Sequence, residues 1–185
     1  MQRPLREQKW VVVMAACLAG MMIGYGLSGF APKIPNWKRD AAQHHAMYRG
    51  WTVFGLEPSK EEQREQVQKA SDAIGLPLAL DDLPARTGLT FRRTQVLGFG
   101  KDRLVHAIFT KPDSTPVSLF VIARAADDGS STNGNEPIVG EMAGHGAMAW
   151  SLDDFSFIVI GGDSGDQIRA AAVDLFANIA SQAIR

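Results

Sequence analysis

The chain has 185 residues, a formal net charge of −1 and 45% hydrophobic residues, with both signs of charge spread along it. That length suits one domain rather than two, and the near-neutral balance excludes the basic face a nucleic-acid surface needs. A single cysteine, Cys17, excludes an intrachain disulfide or a multi-thiolate metal centre, so a folded domain here rests on its apolar core.

Residues 1–9 are a short basic head carrying Arg3, Arg6 and Lys9, and the run from Trp10 to Phe30 that follows has no charged residue. Its 21 residues would reach about 31 Å as a helix, enough for a hydrocarbon core of roughly 30 Å. A cleaved secretory signal has an apolar core of about 7–15 residues and a small-x-small exit. Here the run is longer, and its best-looking exit, Gly29-Phe30-Ala31, is followed at once by Pro32. Residues 10–30 therefore read as a retained transmembrane helix. Lys33, Lys38 and Arg39 offset part of the head's charge, but a short basic head held in the cytoplasm is the simpler topology. It places residues 31–185 in the periplasm, beside a bacterial inner membrane.

Within that run Ala16, Gly20, Gly24 and Ser28 recur every fourth position and stack on one helix face. This small-xxx-small pattern lets helix backbones approach closely in lipid, although glycine is frequent in membrane helices generally. The face is the expected contact with a second copy of the span or with an integral-membrane partner. Beyond the span, Asn36 is positioned as a helix N-cap and Trp37-Lys38-Arg39 falls near the expected headgroups. Trp37, Ala41, His44, His45, Tyr48 and Trp51 keep helical spacing, which predicts a juxtamembrane helix over 37–50 facing either the membrane interface or the domain. Residues 31–57 thus read as juxtamembrane helix and linker, and residues 58–185 as the folded periplasmic domain.

In that domain Ser59-Lys60-Glu61-Glu62 is a capping box, Gly75 a C-terminal stop, and Pro77 bars continuation. The thin stripe Val67, Ala70, Ala73 and Ile74 predicts a surface helix. Leu89–Leu97, Leu104–Thr110, Pro116–Ala123, Gly146–Trp150 and Phe155–Gly161 read as strands, and the short linkers 111–115 and 151–154 as hairpins. Asp127–Glu136 reads as a mobile loop. Ser164-x-x-Gln167 opens a last helix with the stripe Ile168, Ala172, Leu175, Phe176, Ile179 and Ala183. The predicted class is α+β: a transmembrane helix, then a four- to five-stranded antiparallel sheet with helices packed on one face.

Chemistry-bearing residues are few. The chain has four histidines, His44, His45, His106 and His145. The pair His44-His45 with Met47 invites a copper or haem reading, but neighbours on a helix diverge by about 100°, and no haem-attachment or zinc motif occurs. His106 shares a strand face with Leu104 and Ile108, which predicts a half-buried, hydrogen-bonded ring, and His145 sits in a turn-like Gly144-His145-Gly146. No serine lies in a nucleophile elbow, and Gly98-Phe99-Gly100-Lys101 falls short of a phosphate loop. No residue is assigned a catalytic, metal or cofactor role. Arg92 and Arg93, pointing to opposite faces of a strand, read either as partner-binding arginines or as edge charges that block aggregation.

The string Leu89-Thr90-Phe91-Arg92-Arg93-Thr94-Gln95-Val96-Leu97, with Pro116-Val117-Ser118-Leu119, Gly146-Ala147-Met148-Ala149-Trp150 and Gly161-Gly162, resembles the extracytoplasmic domain of single-span anti-sigma factors. Ala42–Tyr48 is similar to the helix that follows the span in those regulators, and the likeness covers roughly residues 37–180. It implies the fold and the topology. Such regulators also carry a cytoplasmic helical module, often zinc-binding, that sequesters the sigma factor. Residues 1–9 hold neither His nor Cys and are too few to build an interface of roughly 800 Å². The expectation is a non-enzymatic single-pass protein whose periplasmic domain binds other proteins, as an accessory subunit of a membrane complex, respiratory complexes included. The alternatives are an anti-sigma-like regulator or sensor with a separate cytoplasmic partner, and a periplasmic metal or haem protein. Expected contacts are Ala16, Gly20, Gly24, Ser28, Trp37, Arg92 and Arg93; expected partners are an integral-membrane protein, the bilayer or a second copy, and no nucleic acid.

Overall fold

The computed structural model describes residues 37–48, 53, 55, 57–80, 88–123, 137–162 and 164–183. In chain order these form α1 (Trp37–His45), α2 (Lys60–Ile74), β1 (Thr90–Phe99), β2 (Asp102–Thr110), β3 (Pro116–Ala123), β4 (Ile138–Met142), β5 (His145–Leu152), β6 (Phe155–Gly161) and α3 (Gly165–Ala183). The expected span over residues 10–30, with Ala16, Gly20, Gly24 and Ser28, lies outside the described residues, as does the loop expected over 127–136. Among the described residues no helix is long and apolar enough to cross a membrane.

The strands form one antiparallel sheet in the order β1-β2-β3-β6-β5-β4. It has six strands rather than the expected four or five. The added strand is β4, joined to β5 through Ala143-Gly144, with Met142 facing His145. Both turn residues have positive φ, 52° and 79°, the conformation whose twist matches a tight hairpin. An alanine in the left-handed region is an unusual choice, which is why the sequence does not announce this turn.

Helices cover both faces of the sheet, not one as expected. On the first face Val67 and Ala70 of α2 and Ile168, Ala172, Leu175 and Ile179 of α3 pack on a core containing Phe109, Leu119, Phe157 and Val159. Trp150 stacks on Phe157 at 5.3 Å and meets the Phe176 ring edge-on at 5.7 Å. On the second face Trp37, Ala41 and Ala42 of α1 pack on Leu104, Phe120, Ile122, Ala147, Ile158 and Ile160. The cause lies in the central strands: β3 and β6 carry apolar residues at successive positions, so either face left bare would expose several large side chains. Each such side chain contributes about 1.5–3 kcal/mol when buried.

Residues 35–185 form one compact unit, within which α1 packs on the second face of the sheet. The helix is shorter than the expected 37–50 and closes in turns at Met47 and Tyr48. α2 keeps its capping box, with Ser59 Oγ accepting from Glu62 N–H at 3.3 Å and Glu62 accepting from Ser59 N–H at 2.7 Å. It ends at Gly75, φ 72°.

Gly161 shows how tightly β6 meets β3. A Cβ built there would lie 2.8 Å from the Pro116 carbonyl oxygen, whereas one at Gly140 meets nothing among the described residues within 4 Å. Gly161→Ala should therefore cost about 1–3 kcal/mol through overpacking, while Gly140→Ala should be neutral or slightly stabilising. Equal urea midpoints for the two variants would contradict this packing.

Candidate functional site: a histidine seam between α1 and the sheet

The polar residues of the second face collect along one seam. α1 buries Trp37, Lys38, Ala41, Ala42 and His45, a stripe at helical spacing whose C-terminal end is a histidine. Because His44 and His45 diverge around the helix, they reach opposite ways across the sheet. The His44 ring lies 5.1 Å from His106 and 6.2 Å from Phe120, edge-on to both. His45 turns instead to Ser118 and sits edge-on to His145 at 4.9 Å. The divergence that argues against chelation is what lets one helical turn engage β2, β3 and β5.

Ser118, fully buried, stands at the centre. Its Oγ lies 2.8 Å from His45 Nδ1 and 2.9 Å from His106 Nε2. His106 Nδ1 lies 3.1 Å from the Gln95 amide nitrogen, which also donates to Tyr48 Oη at 2.9 Å and lies 3.3 Å from His44 Nε2. With the amide in this orientation we assign one proton order along the chain. Gln95 donates to His106 Nδ1, so His106 carries its proton on Nε2 and donates to Ser118, whose hydroxyl donates to His45 Nδ1. Both imidazoles are neutral in this arrangement. His106 stacks on Phe120 at 4.1 Å with its ring nearly parallel.

Burial enforces that neutrality. It lowers His45 from its ordinary value near 6.5 to about 4, with His145 and then His44 adding electrostatic opposition. It holds His106 well below the ordinary value, with smaller contributions from His44, His45 and Arg93. His44, less deeply placed, is lowered by burial alone.

A Ser–His pair resembles a nucleophile and its base, but Ser118 and His106 are wholly buried and line none of the main surface concavities. The largest of these, about 630 Å³, is open to solvent beside the end of α2 and is lined by Gln68, Ser71, Asp72 and Leu76–Ala79. Among the described residues no group of three or more His, Cys, Asp or Glu is arranged to hold a metal ion. Met47, the third member of the copper or haem reading, points to solvent, 64% exposed. What the seam can do chemically is hold a helix on a sheet through groups that change charge.

The expected contact residues separate on inspection. Trp37, placed by sequence near headgroups, is wholly buried in the second core, where its indole fills the space over the sheet. Arg92 and Arg93 do not alternate simply, because the β1–β2 register shifts between Phe91 and Arg93. That bulge flips the parity of the strand: Phe91 belongs to the first face, whereas Gln95, Leu97 and Phe99 face α1. Arg92, the bulged residue, donates from Nε to Thr110 Oγ1 at 2.9 Å and pairs with Glu57 at 3.3 Å. Its side chain is 14% exposed and is used within the domain. Arg93 is exposed, and Gln66 of α2 accepts from the next backbone N–H, that of Thr94, at 2.9 Å. β1 is an edge strand, the position the aggregation-blocking reading of the arginines requires.

Sequence reasoning named all four histidines but did not bring them together, and it gave Gln95, Ser118 and Tyr48 no part in a site. The alternation His106 beside Leu104 and Ile108 was a usable signal for a ring facing a covered side. Ser118, sitting in an otherwise apolar strand, was another.

Ser118→Ala would leave His45 Nδ1 and His106 Nε2 facing each other without a partner. It should cost about 1–3 kcal/mol at neutral pH, because buried polar groups lose their partner. Denaturant midpoints read by near-ultraviolet circular dichroism check this, and an unchanged midpoint would remove Ser118 from the seam.

No protein-family model, curated protein or solved structure matches this chain.

Proposed function

We infer that this chain is a membrane-tethered interaction protein: a single span over residues 10–30, and a periplasmic α+β domain that binds other proteins without catalysing a reaction. In this reading it is an accessory subunit of an integral-membrane complex in a bacterial inner membrane. The observation that carries the reading is the position of α1. The apolar run ends at Phe30, and Trp37, already part of the domain's second core, follows it closely. Fully extended, residues 31–36 reach on the order of 20 Å, so the domain would be held beside the bilayer rather than on a long leash.

The contact residues of this reading are the small-residue face Ala16, Gly20, Gly24 and Ser28, and Arg93 on the edge strand. Trp37 and Arg92 leave that set because the domain uses them itself. Affinity purification of the full-length chain from its native membranes in mild detergent, followed by mass spectrometry, tests the proposal. Stoichiometric recovery of integral-membrane subunits is the expected result. Recovery of a sigma-binding protein would support the anti-sigma-like regulator instead, and recovery of the chain alone would contradict both.

Gly20→Leu combined with Gly24→Leu should release the partner while leaving the domain's thermal transition unchanged. Undiminished co-purification would remove the small-residue face from the account.

A further inference from the structure

We propose that the His45–Ser118–His106 chain is an acid-sensitive latch, in which protonation of either imidazole releases α1 from the sheet and uncovers the second apolar face of the domain. The inference stands on the seam itself and does not depend on the identity of any partner.

The first ground is the direction of the hydrogen bonds. In the assigned order His106 Nδ1 accepts from the Gln95 amide, so a proton added there sets donor against donor at 3.1 Å. A proton added at His45 Nδ1 puts an N–H on Ser118 Oγ from both sides, at 2.8 and 2.9 Å, and leaves the hydroxyl proton no acceptor along the chain. The conflict at His45 lies between α1 and β3 and is relieved by separating them; the conflict at His106 lies within the sheet, between β1 and β2, and a charge there acts on α1 through the His44 ring 5.1 Å away.

The second ground is the charge around the seam. Facing it are His44, His45 and Tyr48 from α1, Arg93 from β1, His106 from β2 and His145 from β5, while β3 contributes the uncharged Ser118 and Phe120. Among the described residues the charges acting on His45 and His106 come from histidines and Arg93, and no carboxylate is among them. A first proton therefore meets no compensating anion, and the ring-to-ring distances of 4.9 and 5.1 Å make each charge unfavourable for its neighbours.

The sign follows from linkage. Both shifts are downward, so the released state binds protons that the docked state excludes. Docking is at full strength above the ordinary histidine value near 6.5 and is lost as pH falls toward the docked values. For His45 alone, a fall from 6.5 to about 4 weakens docking about twenty-fold between pH 7 and pH 5. Release would expose Leu104, Phe120, Ile122, Ile158 and Ile160, which α1 covers.

Amide hydrogen exchange of the full-length chain in mild detergent, read by mass spectrometry at about pH 7.5 and about pH 5 and corrected for intrinsic rates, tests the latch. Protection over residues 37–45 should fall at least tenfold at the lower pH while β2 and β3 stay protected. A variant combining His45→Asn with His106→Gln, polar but not titrating, should keep equal protection at both values. Unchanged protection in the natural chain, or the same acid-driven loss in a variant that is docked at neutral pH, would overturn the proposal. Should the variant fail to dock, imidazole NMR of the natural chain decides. The latch requires His45 and His106 to gain protons in the pH range where α1 opens, and rings that titrate near 6.5 with α1 still docked would exclude it.

Discussion

The structure depends on one constraint: its central strands are apolar on both faces. In β3 the six residues Val117–Ile122 are buried in succession, and in β6 burial runs from Ser156 to Gly161. A sheet of this kind needs cover on each side, which ordinarily calls for helices on both faces. α2 and α3 supply one layer with two long helices. Among the described residues the other layer is α1, nine residues long, which contributes Trp37, Ala41 and Ala42 to the apolar contact. A helix that short is not stable by itself, so its existence depends on the sheet beneath it. The second layer is therefore the thin one, and the polar seam at its C-terminal end adds to a contact that apolar area alone makes modest.

That asymmetry links the fold to the proposed role. The element nearest in sequence to the apolar run over residues 10–30 is also the most lightly held layer of the domain. A device that loosens α1 would change the exposed surface of the domain. The seam has the parts for such a device, because its hydrogen bonds are satisfied only while His45 and His106 are neutral. The first face has continuous apolar packing among α2, α3 and the sheet, and among the described residues it shows no comparable histidine contact with a helix.

Much of the fold was legible in residue patterns, and the failures have identifiable causes. The capping box at Ser59 and Glu62, the stop at Gly75 and the stripe Ile168, Ala172, Leu175, Phe176 and Ile179 of the last helix form as their chemistry dictates. β4 was missed because its turn uses Ala143 where asparagine or glycine would have signalled it. The second helical layer was missed because continuous burial in β3 and β6 reads only as strong strand propensity, which says nothing about how many faces are covered. The parity of β1 was misjudged because a bulge at Arg92 has no reliable sequence mark. The seam was the least legible part: its members come from α1, β1, β2, β3 and β5, and only the strand order brings His44, His45, Gln95, His106, Ser118 and His145 together.

The central claim is that α1 is held on the sheet through His45 and Ser118, and a double-mutant cycle between them tests it most directly. Stabilities of the full-length chain, His45→Ala, Ser118→Ala and the double variant would be measured by denaturant unfolding at neutral pH, with near-ultraviolet circular dichroism as the probe. Direct contact predicts non-additive losses, with a coupling energy of about 0.5–3 kcal/mol. Strictly additive losses would mean that α1 does not engage Ser118, and the seam would fall with it.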